Sequence, residues 1–351
     1  MSLHFKKGAF KMKKIITILG TLIAANAAAM SKPPVEIPDP VPSPNSIVRF
    51  IAIGDMGTGK EGQYQVSIAM ESVCAQQGCD FALGLGDNIY DSGVDSPEDE
   101  QWLSKFEQPY ENLDFPFFMT LGNHDNSHFE GEGLENSKGE HQVAYTYKED
   151  RLSDKWTMPA RYYQFTAPLN ATTPLVDFYS LDSNPLAALA DANIEYWQQP
   201  YKQKQATWMN GALANSFGQW KVAFAHHPLI SNGRHGNAGI SDGVPLLGIV
   251  WKNFLEQNVC DKVDLLITGH DHDLQYLQPI NSCGKTEFIV SGGGAKSRSF
   301  VDPDRNAANW QQDDTKGFFW IELKEGQMKI QSWTVDSNGA YAKAYEVTKQ
   351  K

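Results

Sequence analysis

Positive charge is scarce in this 351-residue chain: 30 Lys and Arg face 42 Asp and Glu, a formal net charge of −12. That balance excludes modes of nucleic-acid binding that neutralise many backbone phosphates, and no basic patch interrupts it. A small anionic ligand would need local cations, and in so acidic a chain bound metal ions supply them better than scattered lysines. Cysteine is sparse too. Cys74, Cys79, Cys260 and Cys283 do not have the spacing of a zinc knuckle,. Of their three possible pairings, Cys74 with Cys79 and Cys260 with Cys283 needs the shortest loops,. The chain has no internal repeat and no low-complexity tract after residue 46, which excludes solenoids and extended disorder. At 41% hydrophobic and 21% charged residues, it is an ordinary globular chain with enough apolar material for one large core.

A long apolar span is missing as well. The run from Ile15 to Ala29, preceded by Lys11, Lys13 and Lys14, is shorter than the roughly 20 residues of a membrane-spanning helix. With Ala25, Asn26 and Ala27 offering a small-x-small cleavage pattern, residues 1–29 read as a cleavable export signal,. An uncleaved anchor is the alternative. Met12 opens a more conventional signal than Met1. Residues 30–46, with Pro33, Pro34, Pro38, Pro40, Pro42 and Pro44, read as an extended linker, which leaves 47–351 as the folded domain,. The expectation is a periplasmic or secreted protein, without stable membrane insertion after cleavage, in a compartment where disulfides persist. Asn170-Ala171-Thr172 fits a glycosylation sequon, which matters only in a eukaryotic secretory pathway,.

Short apolar runs at 47–54, 81–85, 117–121, 220–225 and 263–268 read as buried strands, and each leads into a polar cluster,. Helical spacing is expected over 62–77, 98–112, 201–216 and 246–259, and 126–156 reads as a long loop,. From 286 to 347 the turn signals Glu325-Gly326 and Asn338-Gly339 indicate hairpins,. The fold class is α/β: two packed mixed sheets flanked by helices, with a ligand site where loops converge at the carboxyl ends of strands.

Those strand ends carry Asp55, then Asp87 with Tyr90, Asn123 with His124, His226, and His270 with His272. Each alone is commonly a turn residue or a satisfied polar group. Together, two carboxylates, a phenol, an amide and three imidazoles exceed what one ion needs, and suit two ions sharing a carboxylate with positions open for water and substrate.

The clusters Gly-Asp-x-Gly, Gly-Asp-x-x-Tyr, Gly-Asn-His-Asp, Ala-His-His-Pro and Gly-His-Asp-His, spread from Phe50 to about Gly294, resemble the calcineurin-like metallophosphoesterases. Within them, the stretches Gly269–Gln278 and Trp156–Tyr163 are similar to the purple acid phosphatases of the small, tartrate-resistant type. The resemblance implies a four-layer sandwich and a centre of Fe3+ plus a divalent metal (Fe2+, Zn2+ or Mn2+). It assigns Asp55, Tyr90 and His272 to the ferric ion, Asn123, His226 and His270 to the divalent ion, and Asp87 to both. A phenolate suits a hard trivalent ion, while neutral amide and imidazole suit a divalent one. The family pattern gives the ligand role to His226 and makes His227 a spectator, and it places His124 and His235 toward substrate as catalytic groups. It implies an acid phosphatase that hydrolyses small phosphomonoesters by a metal-bound hydroxide. A phosphodiesterase or dedicated metabolite phosphatase of the same fold is one rival, and an iron-binding, redox-active surface protein with incidental hydrolysis is another.

Overall fold

The computed structural model describes residues 47–351 except 170, 172 and 190. The expected export signal and linker, and both ends of the sequon, lie outside the described residues. Two seven-stranded sheets form the frame. The first runs β14 (Tyr341–Gln350), β13 (Gln327–Val335), β12 (Lys316–Lys324), β1 (Ile47–Ile53), β2 (Phe81–Leu85), β3 (Phe117–Thr120) and β4 (Trp156–Thr157). The second runs β11 (Ala308–Gln312), β9 (Leu274–Leu277), β10 (Glu287–Ser291), β8 (Leu265–Thr268), β7 (Trp220–Phe224), β6 (Val176–Ser180) and β5 (Tyr163–Ala167). The neighbours among β1, β2, β3 and β4, and among β6, β7, β8 and β10, pair parallel, and the outer strands pair antiparallel.

The sheets meet through phenylalanine. Phe50 and Phe81 stand in register on β1 and β2, and both meet Phe178 of β6 edge-on, at centroid distances of 5.2 and 5.3 Å. Phe118 of β3 stacks on Phe165 of β5 at 3.7 Å. Fully burying each such ring stabilises the fold by roughly 1.5–3 kcal/mol, and the edge-to-face geometry suits the ring quadrupoles. Helix α1 (Glu61–Gln77) turns Val66, Ala69, Met70 and Val73 inward, a stripe at helical spacing, and packs on β12,. Cys74 at its end is joined to Cys79, and Cys260 to Cys283, the local pairing with the shortest loops.

Two expectations need correction. Residues 98–112 are not one regular helix: helical Gln101 and Trp102 run into a π turn, Leu103–Glu107, with turns on either side. Pro109 has no N–H for the Lys105 carbonyl, and Gln63 Nε2 takes that carbonyl instead at 2.7 Å. The segment 126–156 is not a structureless loop, for it holds α2 (Gly139–Thr146) and β4. The buried face of α2 carries Gln142, Tyr145 and Thr146, so no apolar period betrays it. The later helices are α3 (Asn184–Ala187), α4 (Gln198–Ala214) and α5 (Ile249–Asn258). Among the described residues, no helix is long and apolar enough to cross a membrane.

Candidate metal centre

The parallel strands of both sheets end on one edge of the sandwich. The first sheet brings Asp55 after β1, Asp87 and Tyr90 after β2, and Asn123 and His124 after β3; the second brings His226 after β7, and His270 and His272 after β8. The turns are tight enough that Asp55, Asp87 and His270 adopt positive φ (59°, 52° and 72°). Each such conformation costs of order 1–3 kcal/mol and is held by its surroundings: Asp55 N–H donates to Gly86 O (3.0 Å) and His270 N–H to Asp55 Oδ2 (2.8 Å). Gly122 is required by crowding, because a Cβ there would lie 2.2 Å from Asp87 Oδ1.

The side chains sort into two groups that share Asp87. In the first, the Tyr90 phenol oxygen lies 3.1 Å from Asp55 Oδ1, 2.9 Å from Asp87 Oδ2 and 3.2 Å from His272 Nε2. His272 Nε2 is in turn 3.3 Å from Asp55 Oδ1. In the second, His226 Nε2 lies 2.9 Å from Asn123 Oδ1, 3.0 Å from His270 Nδ1 and 3.4 Å from Asp87 Oδ1. All seven residues predicted as ligands are therefore brought together, with the two Asp87 oxygens facing opposite groups.

The donor chemistry fits two cations. His226 Nδ1 meets the Leu85 carbonyl at 2.8 Å, so a neutral ring donates there and presents a bare lone pair at Nε2. Asn123 Nδ2 donates to Gly131 O at 2.7 Å, which aims its amide oxygen at that lone pair. Two acceptors 2.9 Å apart with no proton between them are repulsive unless a cation sits between them. The first group has one hydroxyl proton for two carboxylates and an imidazole, and His272 Nδ1 has no partner among the described residues. Ligands held about 2.1 Å from one ion at right angles sit roughly 3.0 Å apart, which matches both groups.

The electrostatics agree. Burial and the charges of Asp55 and Asp87 push the Tyr90 phenol well above its ordinary value, a penalty that a bound cation would invert. Burial opposes ionisation of Asp87 also, but positive charge on His226 and His124 when those rings are protonated, together with the hydrogen bonds from His124 N–H and Tyr90, outweighs it and holds the carboxyl below its usual range. Burial and the surrounding histidines keep His270 far below its ordinary value, so it is neutral, as a metal ligand must be.

A cleft of about 230 Å³ opens over the second group, lined by Asn123, His124, His235, His270, Arg234 and Arg298 among others. His124 tilts over Tyr90 at 4.4 Å between centroids, with Nδ1 2.5 Å from Asp91 O and Nε2 3.9 Å from Asp87 Oδ2. His235 lies on His270, with centroids 4.1 Å apart, and its Nδ1 meets Asp242 Oδ1 at 2.7 Å. Burial works against its charge, but the Asp242 hydrogen bond and the Asp271 and Asp242 charges prevail and raise its pKa.

Sequence reasoning missed several contributors. Arg298 reaches the cleft with its guanidinium 3.3 Å from His235 Nε2, and Lys296 holds its ammonium 3.3 Å above the Tyr90 ring. Asp125 anchors the turn after β3 by accepting from Asn88 N–H, Ile89 N–H and Gly122 N–H. Its place in Gly-Asn-His-Asp was the available signal. Gly292, Gly293 and Gly294 follow β10 directly. Close approach requires them: a Cβ on Gly292 would lie 2.1 Å from Asp271 O.

With this geometry goes a family. Residues 48–274 match the calcineurin-like phosphoesterase model, and the chain belongs to that family, whose substrates are phosphoesters. Within it the chain is distantly related to purple and tartrate-resistant acid phosphatases. It is 29% identical to tartrate-resistant acid phosphatase type 5 of Sus scrofa over 315 residues (82% of this chain, 84% of that protein). It is 27% identical to purple acid phosphatase 4 of Arabidopsis thaliana over 356 residues (97% and 95%). Among solved structures, GAP50, the anchor in the inner membrane complex of Plasmodium, superposes with a TM-score of 0.68 at 19% identity, covering 87% of this chain and 89% of that one. A dimetal phosphatase from Danio rerio gives 0.52 at 13% identity, covering 87% and 99%. At these identities the structural likeness concerns the fold alone.

Proposed function

We propose that this protein is an exported acid phosphatase that hydrolyses phosphate monoesters at a ferric–divalent centre. The observation that carries this reading is the division of Asp87: one oxygen faces a group with a carboxylate and a phenol, the other a group of neutral amide and imidazoles. Asp55, Tyr90 and His272 would hold the trivalent ion, Asn123, His226 and His270 the divalent one, and Asp87 both. Two such ions, when bound, supply Lewis acidity toward phosphate oxygens and lower the pKa of water.

The chain's own residues supply the rest. His124 engages the Asp91 carbonyl through Nδ1, so its Nε2 is where a proton is delivered to a substrate oxygen. The His235–Asp242 pair places a second imidazole on the opposite wall, and Arg298 and Arg234 add cationic character where an anionic ester enters,. Two disulfides support an oxidising compartment,.

The test is to purify the protein without chelator and record metal content, visible spectrum and phosphomonoester hydrolysis from acid to neutral pH. The expected outcome is a broad visible band that disappears in Tyr90→Phe, with an acidic optimum. In His124→Ala, hydrolysis should fall about 100-fold or more, the contribution of a general acid, while both metals stay bound. A colourless two-metal enzyme active near neutrality would reject the ferric–phenolate assignment. A His124→Ala variant with full activity would remove that residue from the mechanism.

A further inference from the structure

Lys296 is not among the residues that line the cleft, yet its ammonium nitrogen stands 3.3 Å from the centroid of the Tyr90 ring. The backbone on either side sets that position. Gly294 N–H donates to the Gly54 carbonyl at 3.1 Å, and Arg298 N–H donates to the His272 carbonyl at 2.8 Å. The segment 294–298 is thereby pinned to the two turns that carry Asp55 and His272. Gly294 allows the approach, since a Cβ there would lie 2.4 Å from Gly54 O. The Lys296 side chain is half-buried, and the carboxylates that act on its charge are those of Asp55, Asp87 and Asp91. Tyr90 therefore has its oxygen toward two carboxylates, at 3.1 Å from Asp55 Oδ1 and 2.9 Å from Asp87 Oδ2, and a fixed cation over its ring.

We infer that Lys296 is a positioning residue that acts through Tyr90: its charge holds electron density on the phenolate and makes the ion bound there easier to reduce. The inference rests on the ferric–phenolate reading above. A cation within about 6 Å of an aromatic centroid is attracted by the negative face of the ring, and more strongly where water is partly excluded. On a phenolate the attraction gains a full unit charge, and burial leaves it weakly screened. The visible band of a ferric phenolate moves an electron from the ring to the iron, away from Lys296, so the ammonium raises the energy of that transition. An electron supplied from outside to the same iron arrives near the ammonium and is stabilised by it. One charge thus shifts two observables, the colour and the potential, and its loss should move both in predictable directions.

The experiment compares the metal-loaded wild type with Lys296→Met, which keeps an unbranched apolar side chain and removes the charge, and Lys296→Arg, which keeps the charge. Metal content is matched, the visible spectrum is recorded, and the potential at which the band is lost is read in a mediated titration with dithionite. Lys296→Met should move the band to longer wavelength and its loss to a more negative potential, both beyond replicate scatter. Lys296→Arg should stay close to the wild type in both. If Lys296→Met does not fold or load, Lys296→Gln carries the same comparison. A band and potential unmoved in the uncharged variant would overturn the inference, and so would equal displacement in the arginine variant, which would trace the effect to packing rather than charge. Either result leaves the coloured centre itself intact. A colourless wild type with two metals bound would instead defeat the ferric–phenolate reading, and the inference with it.

Discussion

The two halves of the site differ in the physics that assembles them. Around Asp55, Tyr90 and His272, acid groups are crowded into the interior: Asp55 is fully buried and Tyr90 and His272 nearly so. Around Asn123, His226 and His270 the donors are neutral, and two of the three, Asn123 and His270, are partly open to the cleft. The first half stores repulsion that a highly charged cation relieves; the second stores little and admits substrate. The Asp87 carboxylate faces both groups, so one strand-end aspartate would suffice to couple a tight, buried ion to an accessible one.

The largest effect that tests this contrast is metal removal. A ligand present at 1,000 times its Kd stabilises a protein by about 4 kcal/mol, and the buried half should account for most of that. Chelator is therefore expected to lower the thermal midpoint sharply in the wild type, and much less in Asp55→Ala, whose buried half is already compromised. Equal drops in both proteins would place the stabilisation elsewhere.

A smaller effect should come from the scaffold behind the open half. Arg161, buried, meets Asp182 at 2.7 Å, the Asn136 carbonyl at 2.6 Å and Asn126 Oδ1 at 3.0 Å, tying the segment after Asn123 to the second sheet. Arg161→Met leaves Asp182 buried without its charge partner, a loss of about 3–5 kcal/mol. Denaturant unfolding measures this, and an Arg161→Met, Asp182→Leu double variant should recover part of the loss. The smallest predicted effect has the opposite sign. In metal-free protein, Asp55→Asn removes one of two facing carboxylates and should raise the thermal midpoint slightly, whereas with metal present it should lower it.

Much of this was legible in the chain because each cluster of predicted ligands begins directly after a short apolar run ending in a small residue, so local sequence marks both the strand and the place of the cluster. The arginines around the cleft were not. Arg298 is positioned by its backbone N–H on the His272 carbonyl (2.8 Å), and Arg305 braces the 231–233 segment through the Ser231 carbonyl at 2.7 Å. These contacts span tens of residues and leave no local period. Strand β6, Val-Asp-Phe-Tyr-Ser, went unseen because Asp177 interrupts its apolar run, although that carboxylate is buried and satisfied by Gly218 N–H at 2.8 Å.

The most direct test of the shared-carboxylate claim is the metal content of the wild type and Asp87→Asn, equilibrated at the same free metal concentrations. The account predicts two ions per chain in the wild type, with both affinities falling more than about 100-fold in the variant, beyond the loss from removing an outer contact. Two ions bound with undiminished affinity by Asp87→Asn, or a single ion in the wild type, would contradict it.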